Sequence, residues 1–189
     1  MHTSPNLRFS VQPGGSLQGR IRVAGDKSVS HRSIMLGAIA EGVTEVTGFL
    51  EGEDSLNTLR AFQAMGVEID GPTDGKVTIR GVGMHGLRPP ATALDLGNSG
   101  TAIRLLAGLL AGQSFDTVLT GDESLRGRPM GRVMGPLSEM GVHFDAREGG
   151  RLPLTLKGPT RLRPIRYELP EQPLRIERFP TPTPARGEI

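Results

Sequence analysis

Cysteine is missing from all 189 residues. That excludes disulfides, thiolate metal sites and a cysteine nucleophile, and it fits a reducing compartment. Aromatic residues make up only 4% of the chain, with no tryptophan and one tyrosine, so the aromatic motifs of RNA-reading modules are missing. Charge of one sign is also scarce. The net charge of +2 is too small to argue for a nucleic-acid partner. His31, His85 and His143 show no ligand spacing and read as structural or exposed, so neither a metal nor another cofactor is expected. The longest apolar run is about eleven residues, whereas a membrane span needs roughly twenty. The N-terminal MHTSPNLRFS lacks the apolar core of a signal peptide. The expectation is a soluble, cytoplasmic protein that engages neither membrane nor nucleic acid.

Glycine and proline are plentiful, at 27 and 15 residues. They point to many short elements joined by tight turns. With 36% hydrophobic and 22% charged residues, the chain is long enough to fold as one or two small domains with a real core.

The apolar run sits in LDLGNSGTAIRLLAGLLAG, which begins at Leu94 and carries a lone arginine, Arg104. A buried helix can let such an arginine snorkel to the surface. The turn before it offers a second reading. Asn98, Ser99, Gly100 and Thr101 supply N-cap side chains and a glycine where backbone N–H groups can point outward. Such a helix start is an anion site. An arginine one turn in adds a donor for carboxylate or phosphate.

The same pattern occurs twice. GDKSVSHR, from Gly25 to Arg32, is answered by GNSGTAIR, from Gly97 to Arg104. Gly48 is answered by Gly121, Met65-Gly66-Val67 by Met140-Gly141-Val142, Val77-Thr78-Ile79 by Leu154-Thr155-Leu156, and Leu87-Arg88-Pro89 by Leu162-Arg163-Pro164. The offsets stay between about 72 and 77 residues and the order is kept, which marks an internal repeat. Residues 17–92 and 93–168 are the two units, after an N-terminal segment 1–16. Each unit is expected to run β-α-β-α-β-β. In the first, LQGRIRV alternates as a strand, residues 28–40 form a helix, and Asp54 caps a second helix that stops at Gly66. In the second, strand 93–96 precedes the helix at 100–111, and Pro129 opens the next helix at N1. Helices this apolar are expected to lie inside, covered by strands.

GDKSVSHR, LDLGNSGTAIRLLAGLL and LTGDESLRGRPMGRV, in that order, resemble the N-terminal part of the 5-enolpyruvylshikimate-3-phosphate synthase family, the 3-phosphoshikimate 1-carboxyvinyltransferases. The resemblance covers roughly residues 17–170. It implies an α/β fold of repeated β-α-β-α-β-β units, an inside-out α/β barrel, with about two of the family's six units present. It also implies transfer of the enolpyruvyl group of phosphoenolpyruvate to the 5-hydroxyl of shikimate-3-phosphate with release of phosphate, a shikimate-pathway step toward chorismate and the aromatic amino acids. By resemblance, Lys27 meets both substrates and is catalytic. Ser28 and Arg32 bind shikimate-3-phosphate, and Gly100 and Arg128 bind phosphoenolpyruvate. Asn98, Thr101 and Arg104 support the turn. The sister UDP-N-acetylglucosamine enolpyruvyl transferases usually carry Lys-Asn where this chain has Lys27-Ser28, and often use a cysteine loop. Neither matches. Leu105 stands where many relatives have proline, which bears on binding of glyphosate, an inhibitor that occupies the phosphoenolpyruvate site in this family.

Taken alone, each residue has a plainer reading. Lys27 is a solvated charge, and Arg126, Arg128 and Arg132 form a basic surface or a helix-end cluster. Beyond the second unit, 165–169 reads as the first strand of a third. EQPLRIERFPTPTPARGEI then departs from the family, with Pro173, Pro180, Pro182 and Pro184 blocking helix and central strand. Residues 169–189 read as a disordered tail, a reading-frame break or a fusion scar. The family's acid–base aspartate and glutamate are not in this chain. Two functional expectations therefore stand: a transferase by descent that is inactive as this fragment, or a non-enzymatic anion-binding fragment or truncated product without function.

Overall fold

The computed structural model describes residue 10 and residues 14–16, 18–158 and 161–168. The chain divides into two compact units, with the boundary between Arg88 and Pro89. Both are mixed α/β.

The first unit runs α1 (Lys27–Ile39), β1 (Glu41–Thr47), α2 (Glu53–Ala64), β2 (Glu68–Thr73) and β3 (Lys76–Val82). Its three strands form an antiparallel sheet in the order β1-β3-β2. The β2–β3 hairpin turns on Asp74-Gly75, both at positive φ (51° and 69°). That Asp-Gly pair suits a two-residue turn whose twist matches the strands. Ile34 and Ala38 of α1, Phe62 and Met65 at the end of α2, and Ile79 of β3 are buried together with Val77. Each large apolar side chain fully buried this way contributes about 1.5–3 kcal/mol. Gly37 allows α1 to lie close on β3, since a Cβ there would sit 2.9 Å from the Ile79 side chain.

The second unit runs β4 (Leu94–Asp95), α3 (Gly100–Ala111), β5 (Thr117–Thr120), α4 (Glu123–Arg126), α5 (Gly131–Glu139), β6 (His143–Arg147) and β7 (Arg151–Lys157). The sheet order is β4-β5-β7-β6, with β4 parallel to β5 and the other pairs antiparallel. Ile103, Leu106 and Leu110 of α3 pack into the core with Leu119, Leu125, Met130, Leu152 and Leu154.

The last helix of each unit, α2 in the first and α5 in the second, ends the same way. Met65 N–H bonds Ala61 O, and Met140 N–H bonds Pro136 O. Gly66 and Gly141 follow at φ 89° and 105°, a left-handed stop that glycine adopts without a Cβ penalty. Val67 N–H then bonds Phe62 O, as Val142 N–H bonds Leu137 O. A returning strap closes each unit: Arg88 N–H meets Met65 O and Arg163 N–H meets Met140 O, both at 2.9 Å.

Five details differ from the reading of the sequence. The expected first strand LQGRIRV is not a strand among its described residues, 18–23. Ile21 and Val23 are 90% and 76% exposed, so alternation alone, without a partner, forms no ladder. Asp54 does not cap α2. The N-cap is Gly52, which offers no side chain: the helix opens two residues early, with Leu56 N–H on Gly52 O, and the Asp54 carboxylate pairs with Lys27 instead. Pro129 is not at N1 of α5. Met130 N–H bonds Gly150 O in the β6–β7 hairpin, which delays the helix to Gly131, and the added turn α4 precedes it. The two apolar helices are covered on one side only, since Val29, Leu36 and Leu105 are exposed. Residues 165–168 form no strand. Leu169 and the proline-rich stretch after it lie outside the described residues.

Candidate functional site

In the first unit the candidate residues gather at the start of α1. Asp26 is the N-cap, and its Oδ1 accepts the Val29 N–H at 2.7 Å. This cap leaves Lys27 and Ser28 as the first two helical residues, both exposed. The Ser28 hydroxyl has no hydrogen-bond partner among the described residues. Arg32, one turn on, is exposed and pairs there with no carboxylate. Ser30 locks the floor. Its hydroxyl donates to Asp26 O at 2.8 Å and accepts the Leu50 N–H at 2.9 Å. Lys27 is the exception to the free cations, because its Nζ ion-pairs with Asp54 Oδ2 at the start of α2. A shallow hollow of about 200 Å³ lies between these helix starts, lined by Lys27, Leu50, Gly52, Glu53, Asp54 and Ser55.

Under this surface lies His31, fully buried, with Nδ1 2.7 Å from Thr58 Oγ1. Burial pushes its imidazole below the ordinary value of 6.5. Lys27 and Arg32 push the same way, and Asp54 opposes them.

The second unit holds a separate group at the start of α3. Ser99, not Asn98, is the N-cap, and its hydroxyl accepts the Ala102 N–H at 3.2 Å. Asn98 is thereby left to Arg128, whose Nη2 donates to Asn98 Oδ1 at 2.5 Å and to Ser124 Oγ at 3.4 Å. Arg104 folds back on its own helix and donates from Nη1 to Gly100 O at 2.6 Å. Both guanidinium groups crowd the missing side chain of Gly100. A Cβ there would lie 2.7 Å from Arg104 Nη1 and 3.0 Å from Arg128 Nη1. Thr101 is exposed beside them. Among the described residues neither arginine ion-pairs with a carboxylate. Two cations at the positive end of a helix dipole oppose one another and the helix. A bound anion relieves all three terms at once. Arg126 and Arg132 are exposed nearby in sequence and also unpaired among the described residues.

Reading the sequence missed two participants. Asp54 passes for a helix cap by its position. The only signal of its pairing is that it opens α2 much as Lys27 opens α1. His31 falls four residues after Lys27 and between the core positions Ser30 and Ile34, which marks its burial but not its partner. No group of His, Cys, Asp and Glu that could hold a metal ion occurs among the described residues. No helix there is long and apolar enough to cross a membrane.

Comparison with known proteins places the chain in a family. The family model for EPSP synthase (3-phosphoshikimate 1-carboxyvinyltransferase) matches residues 11–172. The 3-phosphoshikimate 1-carboxyvinyltransferase of Hydrogenovibrio crunogenus is 64% identical over 167 residues, covering 88% of this chain and 38% of its own length. The enzyme of that name from Alkalilimnicola ehrlichii is 63% identical over 164 residues, covering 87% and 37%. A solved EPSP synthase from Acinetobacter baumannii superposes with a TM-score of 0.79 at 58% identity, over 82% of this chain and 35% of that one. The chain thus spans well under half the length of these relatives, and it belongs to the EPSP synthase (3-phosphoshikimate 1-carboxyvinyltransferase) family.

Proposed function

We propose that these residues carry the cationic, substrate-binding share of an enolpyruvyl transferase. That enzyme moves the enolpyruvyl group of phosphoenolpyruvate to the 5-hydroxyl of shikimate-3-phosphate and releases phosphate. The observation that carries the reading is the start of α3, where two unpaired guanidinium groups flank Gly100. In this reading Gly100 and Arg128 receive phosphoenolpyruvate. Asn98 aims the Arg128 guanidinium, Thr101 borders the turn, and Arg104 orders it. Ser28 and Arg32 hold shikimate-3-phosphate. Lys27, drawn toward Asp54, meets both substrates and stabilises charge on the transferring group. We further read residues 17–92 and 93–168 as copies of one repeat. The shared helix stop and strap support this.

The exchange of one partner for another is chemically reasonable at Lys27. Lys27 is half-exposed though Asp54 is more covered, and an ion pair with an exposed partner is worth about 0–1 kcal/mol, so an incoming phosphate can displace Asp54. Glyphosate, itself an anion, is read as a competitor for the Gly100–Arg128 group. Cytoplasmic localisation follows from the pathway rather than from any feature of the fold.

The test is phosphate release from phosphoenolpyruvate and shikimate-3-phosphate, measured on the 189-residue polypeptide alone and mixed with the complementary C-terminal portion of a relative. Turnover that appears on mixing and needs both substrates supports the transferase reading. Anion binding without turnover in either sample favours a non-enzymatic module.

A further inference from the structure

Lys27 and His31 stand one turn apart on α1, and Asp54 and Thr58 one turn apart on α2, so the two helix starts meet in two rungs. The outer rung is the Lys27–Asp54 ion pair. The inner rung is His31 Nδ1 to Thr58 Oγ1 at 2.7 Å. A third bond links the rungs, because the Thr58 hydroxyl donates to Asp54 O at 3.3 Å. That hydroxyl has one proton. If it serves Asp54, then Nδ1 of His31 carries the hydrogen of the inner rung. This tautomer is assigned from the bonding pattern. It leaves Nε2 a buried lone pair with no partner among the described residues, which costs less than a buried N–H without one.

We propose that His31 is a positioning residue: through Thr58 it fixes the start of α2, and thereby the carboxylate that orients the Lys27 ammonium group. The proposal rests on the reading of Lys27 as a substrate-binding group. Neutrality of the imidazole is part of the device. A second proton would bury an unpaired donor. It would also set a positive charge near Lys27 and Arg32, with Asp54 the only opposing group of the three that face it. His31 therefore keeps donating to Thr58 while Lys27 exchanges Asp54 for a ligand.

Trace acylation of the 189-residue chain tests this. The chain has three lysines, Lys27, Lys76 and Lys157. Lys76 in the same unit is the internal reference, and labelling is read by mass spectrometry. In Thr58→Val and in His31→Phe, Lys27 should label about two- to tenfold faster relative to Lys76, the range one hydrogen bond is worth. The double variant should be no faster than either single one. His31→Asn, whose amide nitrogen reaches the place of Nδ1, should restore slow labelling, and Asp54→Asn sets the ceiling. If His31→Phe loses its helical circular dichroism, Thr58→Val alone decides. An unchanged Lys27 to Lys76 ratio in Thr58→Val overturns the proposal. Protection of Lys27 by phosphoenolpyruvate is measured separately, so failure there counts against the functional reading and leaves the relay standing.

Discussion

Arg104 bends back along α3 so that its Nη1 donates to the carbonyl oxygen of Gly100, four residues earlier, at 2.6 Å. The lone charge of the apolar helix is therefore neither buried nor free to snorkel. It lines the helix start beside Arg128, with room made by the absence of a side chain at Gly100.

Gly100→Ala should separate fold from function. Alanine is favoured over glycine in a helix by up to about 1 kcal/mol, so unfolding stability should stay level or rise slightly. The new methyl group would push both guanidinium groups aside, and affinity for phosphoenolpyruvate in the complemented enzyme should fall. Urea unfolding and substrate kinetics on the same preparation check both halves. A variant with unchanged KM for phosphoenolpyruvate speaks against the site at α3.

Lys27→Ala, Arg32→Ala and Arg128→Ala should each weaken the complemented enzyme about ten- to a hundredfold, since a charge-assisted hydrogen bond to an enclosed anion is worth roughly 1.5–3 kcal/mol. The losses should differ in kind. Arg32→Ala should raise KM for shikimate-3-phosphate and Arg128→Ala should raise KM for phosphoenolpyruvate. Lys27→Ala should lower kcat as well. Steady-state kinetics with each substrate varied in turn distinguishes the three.

The proposed repeat makes its own prediction. Gly66 and Gly141 hold the same left-handed position after the last helix of their units, α2 and α5. Gly66→Ala and Gly141→Ala should each cost about 1–2 kcal/mol, because a Cβ is disfavoured there. Denaturant titration of each variant gives the comparison. A cost at one position and none at the other contradicts their equivalence.

Much of this was legible beforehand, and the reasons differ by element. The stops at Gly66 and Gly141 and the β2–β3 and β6–β7 strands follow from local chemistry that needs no distant partner. The strand expected at LQGRIRV did not form, because a strand exists only as part of a ladder and its alternation does not name one. The start of α5 moved past Pro129 because Met130 N–H is bound by Gly150, a contact across 20 positions that no local signal announces. In the site, the motifs marked Lys27, Gly100 and Arg128 by kind. That Asn98 is the partner of Arg128, and Asp54 of Lys27, depends on which helix starts are brought side by side.

His31 ties stability of the first unit to pH. Its folded value lies below 6.5, chiefly through burial. Below 6.5 the unfolded chain takes up a proton that the folded unit resists, so stability is fully present above that pH and is lost as pH falls through the folded value. Urea midpoints measured between pH 5 and 8 should decline on the acid side, and His31→Asn should flatten that decline. A decline of equal depth in the variant assigns it to other groups.

Calorimetric titration of the 189-residue polypeptide with shikimate-3-phosphate decides whether it holds only the cationic share of a transferase site. Lys27 and Arg32, the cations read as meeting that substrate, are exposed, and exposed ionic contacts contribute about 0–1 kcal/mol each. Association alone costs about 4 kcal/mol or more. The expected result is binding no tighter than millimolar, weakened by added salt and lost in Arg32→Ala, without phosphate release when phosphoenolpyruvate is added. Micromolar binding, binding indifferent to Arg32 and salt, or turnover by this polypeptide on its own would overturn that reading.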